Sequence, residues 1–301
     1  MARTKPVRRK DPVMMEYELF KKLIPERIHE YLPPVYHKYT PDVRQVEKVN
    51  ETKDAFCMMP PDKNPMVAIP TLYLDDLYRD FALDEDLERV LGETANVIMT
   101  WSGIEVPELA DFTLEKHTDK VIVNLISRSM NKKLLANIPH RDFLDMAVIY
   151  RLVQSINEQG INSAIITNEI LSGSGLDADE LHRLALENTP RMMEIRIYNS
   201  DQEGVYVVTN RTGICGAAAM LYKEEMRRIA KLTEGDFFIL PSSIHEFFAI
   251  DAKRADPDEL VKMLAAGNQC VTRPQEQLSN VIYRYDARSG KILKEISYFA
   301  G

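Results

Sequence analysis

No part of this 301-residue chain is apolar for the roughly 18–20 consecutive residues that a membrane-crossing helix needs. Its basic N-terminus is followed by no apolar segment and so does not read as a secretory signal; the expectation is a soluble, cytoplasmic protein with no membrane partner. Cysteine is scarce. Cys57, Cys215 and Cys270 stand far apart with no CxxC or CxH spacing, which argues against both a disulfide framework and a structural zinc site. All three are expected to be buried small apolar residues. Neither GxxxxGK[ST] nor GxGxxG occurs, and Gly213-Ile-Cys-Gly216 is too short for a phosphate loop, which disfavours ATP, GTP and dinucleotide chemistry. No cofactor is expected. The chain also lacks a Gly-x-Ser-x-Gly elbow, a short-period repeat, and the basic-aromatic interleaving of single-stranded nucleic-acid binders.

What is present is ordinary for a globular protein: 45% apolar and 28% charged residues, enough for a sizeable core in one large domain or two smaller ones. The net charge of −8 conceals an asymmetry. Residues 1–10 carry Arg3, Lys5, Arg8, Arg9 and Lys10 without an acid, so the remaining 291 hold 33 basic and 46 acidic residues, a net −13. An acidic body does not suit a large phosphate-binding surface, so nucleic acid is an expected partner only through residues 1–10. The plainer reading of that stretch is a solvated leader.

Tyr17, Phe20, Leu23, Ile24, Ile28 and Tyr31 recur at helical spacing around Pro25, and Pro33-Pro34 ends the segment. Val43 to Val49 and Ala55 to Met59 read as short strands, and Met66 to Leu74 as a stronger one. Asp84 is the expected cap of a helix with Leu87, Val90, Leu91, Ile98 and Trp101 on one stripe, stopped by Ser102-Gly103 and Pro107. A boundary is expected near 102–110, giving a basic tail (1–12), an N-terminal α+β region (13–107) and a C-terminal α+β region (108–301).

Downstream, strands are expected at Val121–Ile126, in the first half of Phe143 to Val153, and at Ser163–Thr167, Glu194–Tyr198, Val205–Thr209 and Ile214–Tyr222, and the apolar run Phe237–Leu240 leads into a polar cluster. Asp177 with Glu180 three residues on predicts a helix start, and Asn188-Thr-Pro190 its end. Helices are also predicted at Asn131–Asn137, at Lys223–Leu232 before Gly235, and after Asp256-Pro257. Val281–Tyr285 and Lys291–Ile296 read as a final hairpin. Strands arriving both as hairpins and with helices between them predict an α+β fold, a mixed or antiparallel sheet with flanking helices. A helix, an apolar-Pro-polar turn and an apolar strand occur at 131–150 and again at 223–250, which raises the expectation of two similarly built α/β units.

These two turns carry the candidate site residues. His140, Arg141, Asp142 and Asp145 combine groups that move protons with an arginine able to clamp a carboxylate or phosphate. Their structural alternative is a polar cap at the mouth of a core strand, with Asp142 paired to arginine. Ser242, Ser243, His245 and Glu246 hold the residue types of a serine hydrolase, although such sites are assembled across distant segments and closeness in sequence is weak support. If the clusters meet, His140, His245, Asp142 and Glu246 offer metal-ligand chemistry, without the helical His/Glu spacing of known sites.

The runs Asn131-Lys-Lys-Leu-Leu-Ala-Asn-Ile-Pro-His-Arg-Asp-Phe-Leu-Asp145, Glu180-Leu-His-Arg-Leu-Ala-Leu-Glu-Asn-Thr-Pro-Arg191 and Phe237-Phe-Ile-Leu-Pro-Ser-Ser-Ile-His-Glu246 resemble a bacterial family catalogued only as a domain of unknown function. Tyr206-Val-Val-Thr-Asn210 and Gly216-Ala-Ala-Ala-Met-Leu-Tyr222 fit the same pattern, and the resemblance runs from about residue 15 onward. A second uncharacterised bacterial family is similar more weakly. The resemblance implies a grouping and no mechanism. The expected function is therefore binding or regulation, through a protein or small-molecule partner. The alternatives are a hydrolase using His140/Asp142 and Ser242/His245/Glu246, and a nucleic-acid-associated factor using the basic arm.

Overall fold

The computed structural model describes residues 15–61, 69–102, 112–157 and 160–297, with side chains up to residue 294. The basic leader, Met66 to Ala68 of the expected strand, and the Gly103 and Pro107 helix stops lie outside the described residues. The fold is α+β with three antiparallel sheets. The described residues divide into two compact units, one within 1–46 and 52–110 and the other within 47–51 and 111–301.

The first unit holds α1 (Tyr17–Arg27), all but the adjoining ends of the strands β1 (Thr40–Lys48) and β2 (Glu51–Met59), the strand β3 (Leu72–Tyr73), and the helices α2 (Leu74–Asp84) and α3 (Leu87–Trp101). The sheet order is β1-β2-β3. The core is built as the periodicity requires: Phe20 and Ile24 of α1, Phe56 and Met58 of β2, Phe81 of α2, and Val90, Leu91 and Ile98 of α3 are all buried. Three expectations are corrected here. Leu74 begins a helix rather than ending a strand. The cap of α3 is Asp86, which accepts from the Arg89 N–H, while Asp84 pairs with the Arg89 side chain at 2.7 Å. Trp101 lies beyond the buried stripe and is exposed.

The second unit begins with β4 (Val121–Ser127), α4 (Lys132–Leu135), β5 (His140–Phe143), β6 (Met146–Asn157) and β7 (Gly160–Ile165). Next come α5 (Asn168–Gly173), α6 (Ala178–Met192), β8 (Ile195–Asn199), β9 (Val205–Asn210) and α7 (Lys223–Leu232). It closes with β10 (Phe237–Leu240), β11 (Phe247–Asp251), α8 (Pro257–Cys270), β12 (Val281–Asp286) and β13 (Lys291–Ser297). One sheet runs β13-β12-β10-β11-β9-β8; in the other, β6 pairs with β4, β5 and β7.

Both faces of the six-stranded sheet are covered, so its central strands read as continuous apolar runs. Phe237 and Ile239 point with Phe247, Ala249 and Tyr283 into a core shared with Val123, Leu125, Val148 and Tyr150 of the other sheet. The alternate residues Phe238, Leu240, Ile250 and Ile282 pack against Leu260, Val261 and Leu264 of α8.

Three further expectations change in this unit. Residues 214–222 are not a strand: Gly216–Leu221 form a 3-10 turn behind Cys215, which takes a left-handed φ of 59°. The run of small residues there is a close-packing device, since a Cβ on Gly216 would lie 2.4 Å from both the His245 carbonyl oxygen and Thr209 Oγ1. Helix α6 continues through Pro190 to Met192. Proline removes the N–H that would reach the Leu186 carbonyl, and the Tyr222 hydroxyl donates to that oxygen instead, at 3.2 Å. Finally, Cys270 is exposed at the end of α8, off its buried stripe, whereas Cys57 and Cys215 are buried.

Candidate functional site

The two sequence clusters occupy different places in their hairpins. In the first, Pro139 precedes β5, and His140, Arg141 and Asp142 stand on the exposed edge strand itself. In the second, Pro241 follows β10, and the polar residues form the loop between β10 and β11. The resemblance between the two segments is thus one of sequence order, with the polar groups set at non-equivalent positions.

Each residue of the first cluster has a local partner. His140 Nδ1 lies 3.1 Å from the Ile138 carbonyl oxygen, Asp142 pairs with Arg128 at 2.8 Å, and Arg141 pairs with Asp179 at the start of α6. Arg141 also borders two residues that the sequence did not single out. Tyr150, buried in the middle of β6, places its hydroxyl 3.0 Å from Nδ1 of His182. Burial, and then the Arg141 charge, hold the His182 imidazole below its ordinary pKa, and burial pushes the Tyr150 phenol up to about 12. A neutral imidazole accepting from a neutral phenol satisfies both groups.

The second cluster is tied into its own loop. The Ser242 hydroxyl donates to the Glu246 carbonyl oxygen at 3.3 Å, and Ser243 Oγ accepts from the His245 N–H at 3.0 Å. His245 Nδ1 accepts from the Cys215 N–H at 3.2 Å, which requires a bare Nδ1, and Nε2 lies 3.9 Å from Glu276. Burial pushes this imidazole below its ordinary value, against the neighbouring Glu276 and Glu246. The ring thereby supports the left-handed turn at Cys215, whose thiol burial raises to about 11. No serine in the loop hydrogen-bonds to the His245 ring, so the geometry gives no nucleophile-base pair. Among the described residues no hydrogen bond or ion pair joins the two clusters, and no group of three or more His, Cys, Asp or Glu is arranged to hold a metal. The residues of the proposed nucleic-acid arm lie outside the described residues.

Asp145 stands apart from its sequence neighbours. It sits in the turn between β5 and β6, after Leu144 with its φ of 59°. Its carboxylate accepts from Ser279 Oγ at 2.8 Å and from the buried Tyr283 hydroxyl, both on the chain entering and forming β12. Burial, and then the carboxylate, hold the Tyr283 phenol far above its ordinary value. Asp145 and Ser279 line a polar cavity of about 260 Å³.

A larger cavity, about 400 Å³, lies between α8 and the sheet face opposite the main core. Leu240, Phe248 and Ile250 form its sheet wall, Met263, Leu264 and Gly267 its helix wall. Polar groups gather at Ser242, Thr272 and Asn268, with the β8–β9 turn, Ser200 to Gln202, alongside. Ser242 is the sequence candidate that borders it. Gly267, in the last turn of α8, is not packed against another element: a Cβ there would meet no atom within 4 Å outside its own helix backbone.

A model of a family of unknown function, DUF5688, matches residues 17–202 and 198–287, most of the chain and both units. The chain belongs to this family. No curated protein and no solved structure matches it. The family match takes in both polar clusters, Asp145 and both cavities' principal walls, and it attaches no activity to them.

Proposed function

We propose that this family member is a binding protein whose ligand is a small, largely apolar molecule with one polar end, held beside α8. The observation that carries this reading is the wall at Gly267. A glycine with helical backbone costs up to about 0.5–1 kcal/mol relative to alanine, and in this last turn of α8 no close approach of backbone or side chain calls for one. What its missing side chain leaves is space in a cavity whose volume falls within the roughly 300–1,000 Å³ of small-molecule sites. Apolar walls with a few convergent polar groups suit a ligand buried by the hydrophobic effect and oriented by hydrogen bonds at Ser242, Thr272 and Asn268.

The test is a fluorescence titration with 1-anilinonaphthalene-8-sulfonate, comparing the native protein with Gly267→Leu, whose side chain occupies the cavity. The expected result is saturable binding at one site per chain, lost in Gly267→Leu while cooperative unfolding is retained. Binding of equal strength in the variant, or none in the native protein, rejects the reading.

A further inference from the structure

We propose that a third cavity, between the β5–β6 turn, the start of α7 and the β12–β13 hairpin, binds a small monocarboxylate with an apolar body. It shares no lining residue with the cavity beside α8 and does not rest on the reading of that cavity.

Tyr285, on β12, is buried with its hydroxyl unused. Its ring stacks on Phe237 with centroids 5.0 Å apart, and the residue is only 2% exposed. Among the described residues its hydroxyl has no hydrogen-bond partner. Tyr283, two positions earlier on the same strand, donates to Asp145 instead. The Tyr285 oxygen stands beside Gly290, where a Cβ would come 3.6 Å from it, and both residues line the cavity. A buried phenol usually has a partner, and the cavity is where one can enter.

The walls around the phenol are apolar, formed by Leu144, Met220, Met226 and Ile292. Leu144 lies in the two-residue turn between Phe143 and Met146 with a φ of 59°, a left-handed conformation that the β-carbon disfavours and that glycine usually fills in hairpins. A leucine held there supplies a half-buried side chain to the cavity wall.

The charge at the border has one sign. Lys223 and Lys291 are exposed, neither is in an ion pair among the described residues, and no acidic residue is among those that line the cavity. Their flexible four-carbon stems let an ammonium swing over the mouth. The nearest acids in the chain are engaged elsewhere. Asp286, across from Lys291 in the strand register, accepts from the Arg288 and Ser289 N–H groups at 2.9 Å. Glu224 and Glu225, in the first turn of α7, pair with Arg227 and Arg228.

A cationic ligand would meet two ammoniums, and a hydrocarbon would leave the phenol unmet. A carboxylate accepts from the phenol and the ammoniums while its body fills the apolar walls. The volume, about 270 Å³, falls below the roughly 300–1,000 Å³ of drug-sized sites and suits a short chain or a single ring.

The experiment titrates the full-length protein with sodium octanoate at pH 7 by calorimetry, with 1-octanol and sodium acetate as comparators. 1-Octanol lacks the charge and acetate the apolar body, so saturable binding of octanoate that neither matches is expected. It should persist in Gly267→Leu, whose side chain fills the cavity beside α8. Tyr285→Phe should weaken it about tenfold or more, the scale of a hydrogen bond to a charged group. The same variant should keep the native urea midpoint, because the hydroxyl bonds to nothing in the unliganded protein. Lys223→Gln and Lys291→Gln should each weaken binding roughly two- to fivefold, the scale of one solvent-screened charge. The proposal is overturned if octanoate does not saturate, if either comparator matches it, or if its binding vanishes in Gly267→Leu, which assigns it to the other cavity. It is equally overturned if Tyr285→Phe binds as well as the native chain or loses stability along with affinity, or if both lysine variants bind as tightly as the native chain. Should Gly267→Leu fail to fold, Tyr285→Phe decides, since Tyr285 borders this cavity and not the one beside α8.

Discussion

The phenol of Tyr283 donates its hydrogen to the carboxylate of Asp145, joining a central strand of the six-stranded sheet to the β5–β6 turn of the other. Removing the hydroxyl leaves the carboxylate with Ser279 as its hydroxyl donor. Tyr283→Phe should therefore cost about 1.5–3 kcal/mol, as for a hydrogen bond to a charged group, measured by urea unfolding at pH 7. The phenol is held above its ordinary value, near 10. Its contribution is thus complete below that pH and lost as pH climbs above it, because the unfolded chain ionises first. The stability gap between native protein and Tyr283→Phe should narrow from pH 9 to pH 11; a gap constant over that range contradicts the assignment.

His245 gives the opposite pH signature. Its ring is neutral, accepts from the Cys215 N–H, and is held below the usual imidazole value by burial. Its contribution is present above about pH 6.5 and lost as pH falls through the folded-state value, since the unfolded chain takes up the proton first. In His245→Asn, the amide oxygen can stand where Nδ1 accepts, and nothing titrates. Between pH 7 and pH 5 the native protein should lose more stability than His245→Asn, read from urea midpoints at each pH.

How much of this was legible in the sequence depended on the range of the signal. Local signals carried over: Asp177 caps α6 by accepting from the Glu180 N–H at 2.8 Å, and α7 has the expected bounds, Lys223–Leu232. Where the sequence misled, distant contacts had overridden local preference. Pro190 stays helical because Tyr222 satisfies the orphaned carbonyl, and Ala217 to Ala219 form a 3-10 turn because the β10–β11 loop presses on Gly216. The site candidates followed the same division. Histidine and serine clusters draw attention by composition, yet their polar atoms are taken up by backbone groups and by ion pairs with Arg128 and Asp179. Asp145 matters through Ser279 and Tyr283, more than 130 positions away. No spacing rule connects residues so far apart.

Gly216 and Gly213 separate crowding from backbone strain. At Gly216 a Cβ would lie 2.4 Å from the His245 carbonyl oxygen and 2.8 Å from Thr209 Cα, and backbone cannot step aside cheaply. At Gly213 the space is open, but φ is +68°. Gly213→Ala should cost about 1–2 kcal/mol, the left-handed penalty. Gly216→Ala should cost more, at or beyond the roughly 1–3 kcal/mol of an overpacked core. Chemical denaturation of both variants checks the order; the reverse order would falsify the crowding account.

The Tyr222 hydroxyl and Pro190 share one carbonyl, so their substitutions should couple. Tyr222→Phe removes the donor to the Leu186 oxygen and should cost about 1–3 kcal/mol if that oxygen stays unsatisfied. Pro190→Ala restores an N–H four residues after Leu186, where a helical hydrogen bond can form. The pair should therefore be non-additive: Tyr222→Phe should cost less in the Pro190→Ala background than alone. Equal costs in both backgrounds would mean that the tyrosine does not serve as the substitute donor.

Gly267→Ala tests whether helix α8 gives up stability to keep its cavity open. The new methyl meets no atom within 4 Å outside its own helix, so it adds no clash, and alanine favours helical backbone over glycine by up to about 0.5–1 kcal/mol. The variant should be more stable than the native protein by that amount and should bind 1-anilinonaphthalene-8-sulfonate less tightly, because the methyl takes volume from the site. If stability rises and binding is unchanged, the glycine is merely a weak point in the helix and the probe binds elsewhere. A fall in stability contradicts open space beside Gly267. Only the joint result, a stronger fold with a poorer site, agrees with a residue whose missing side chain makes room for a ligand.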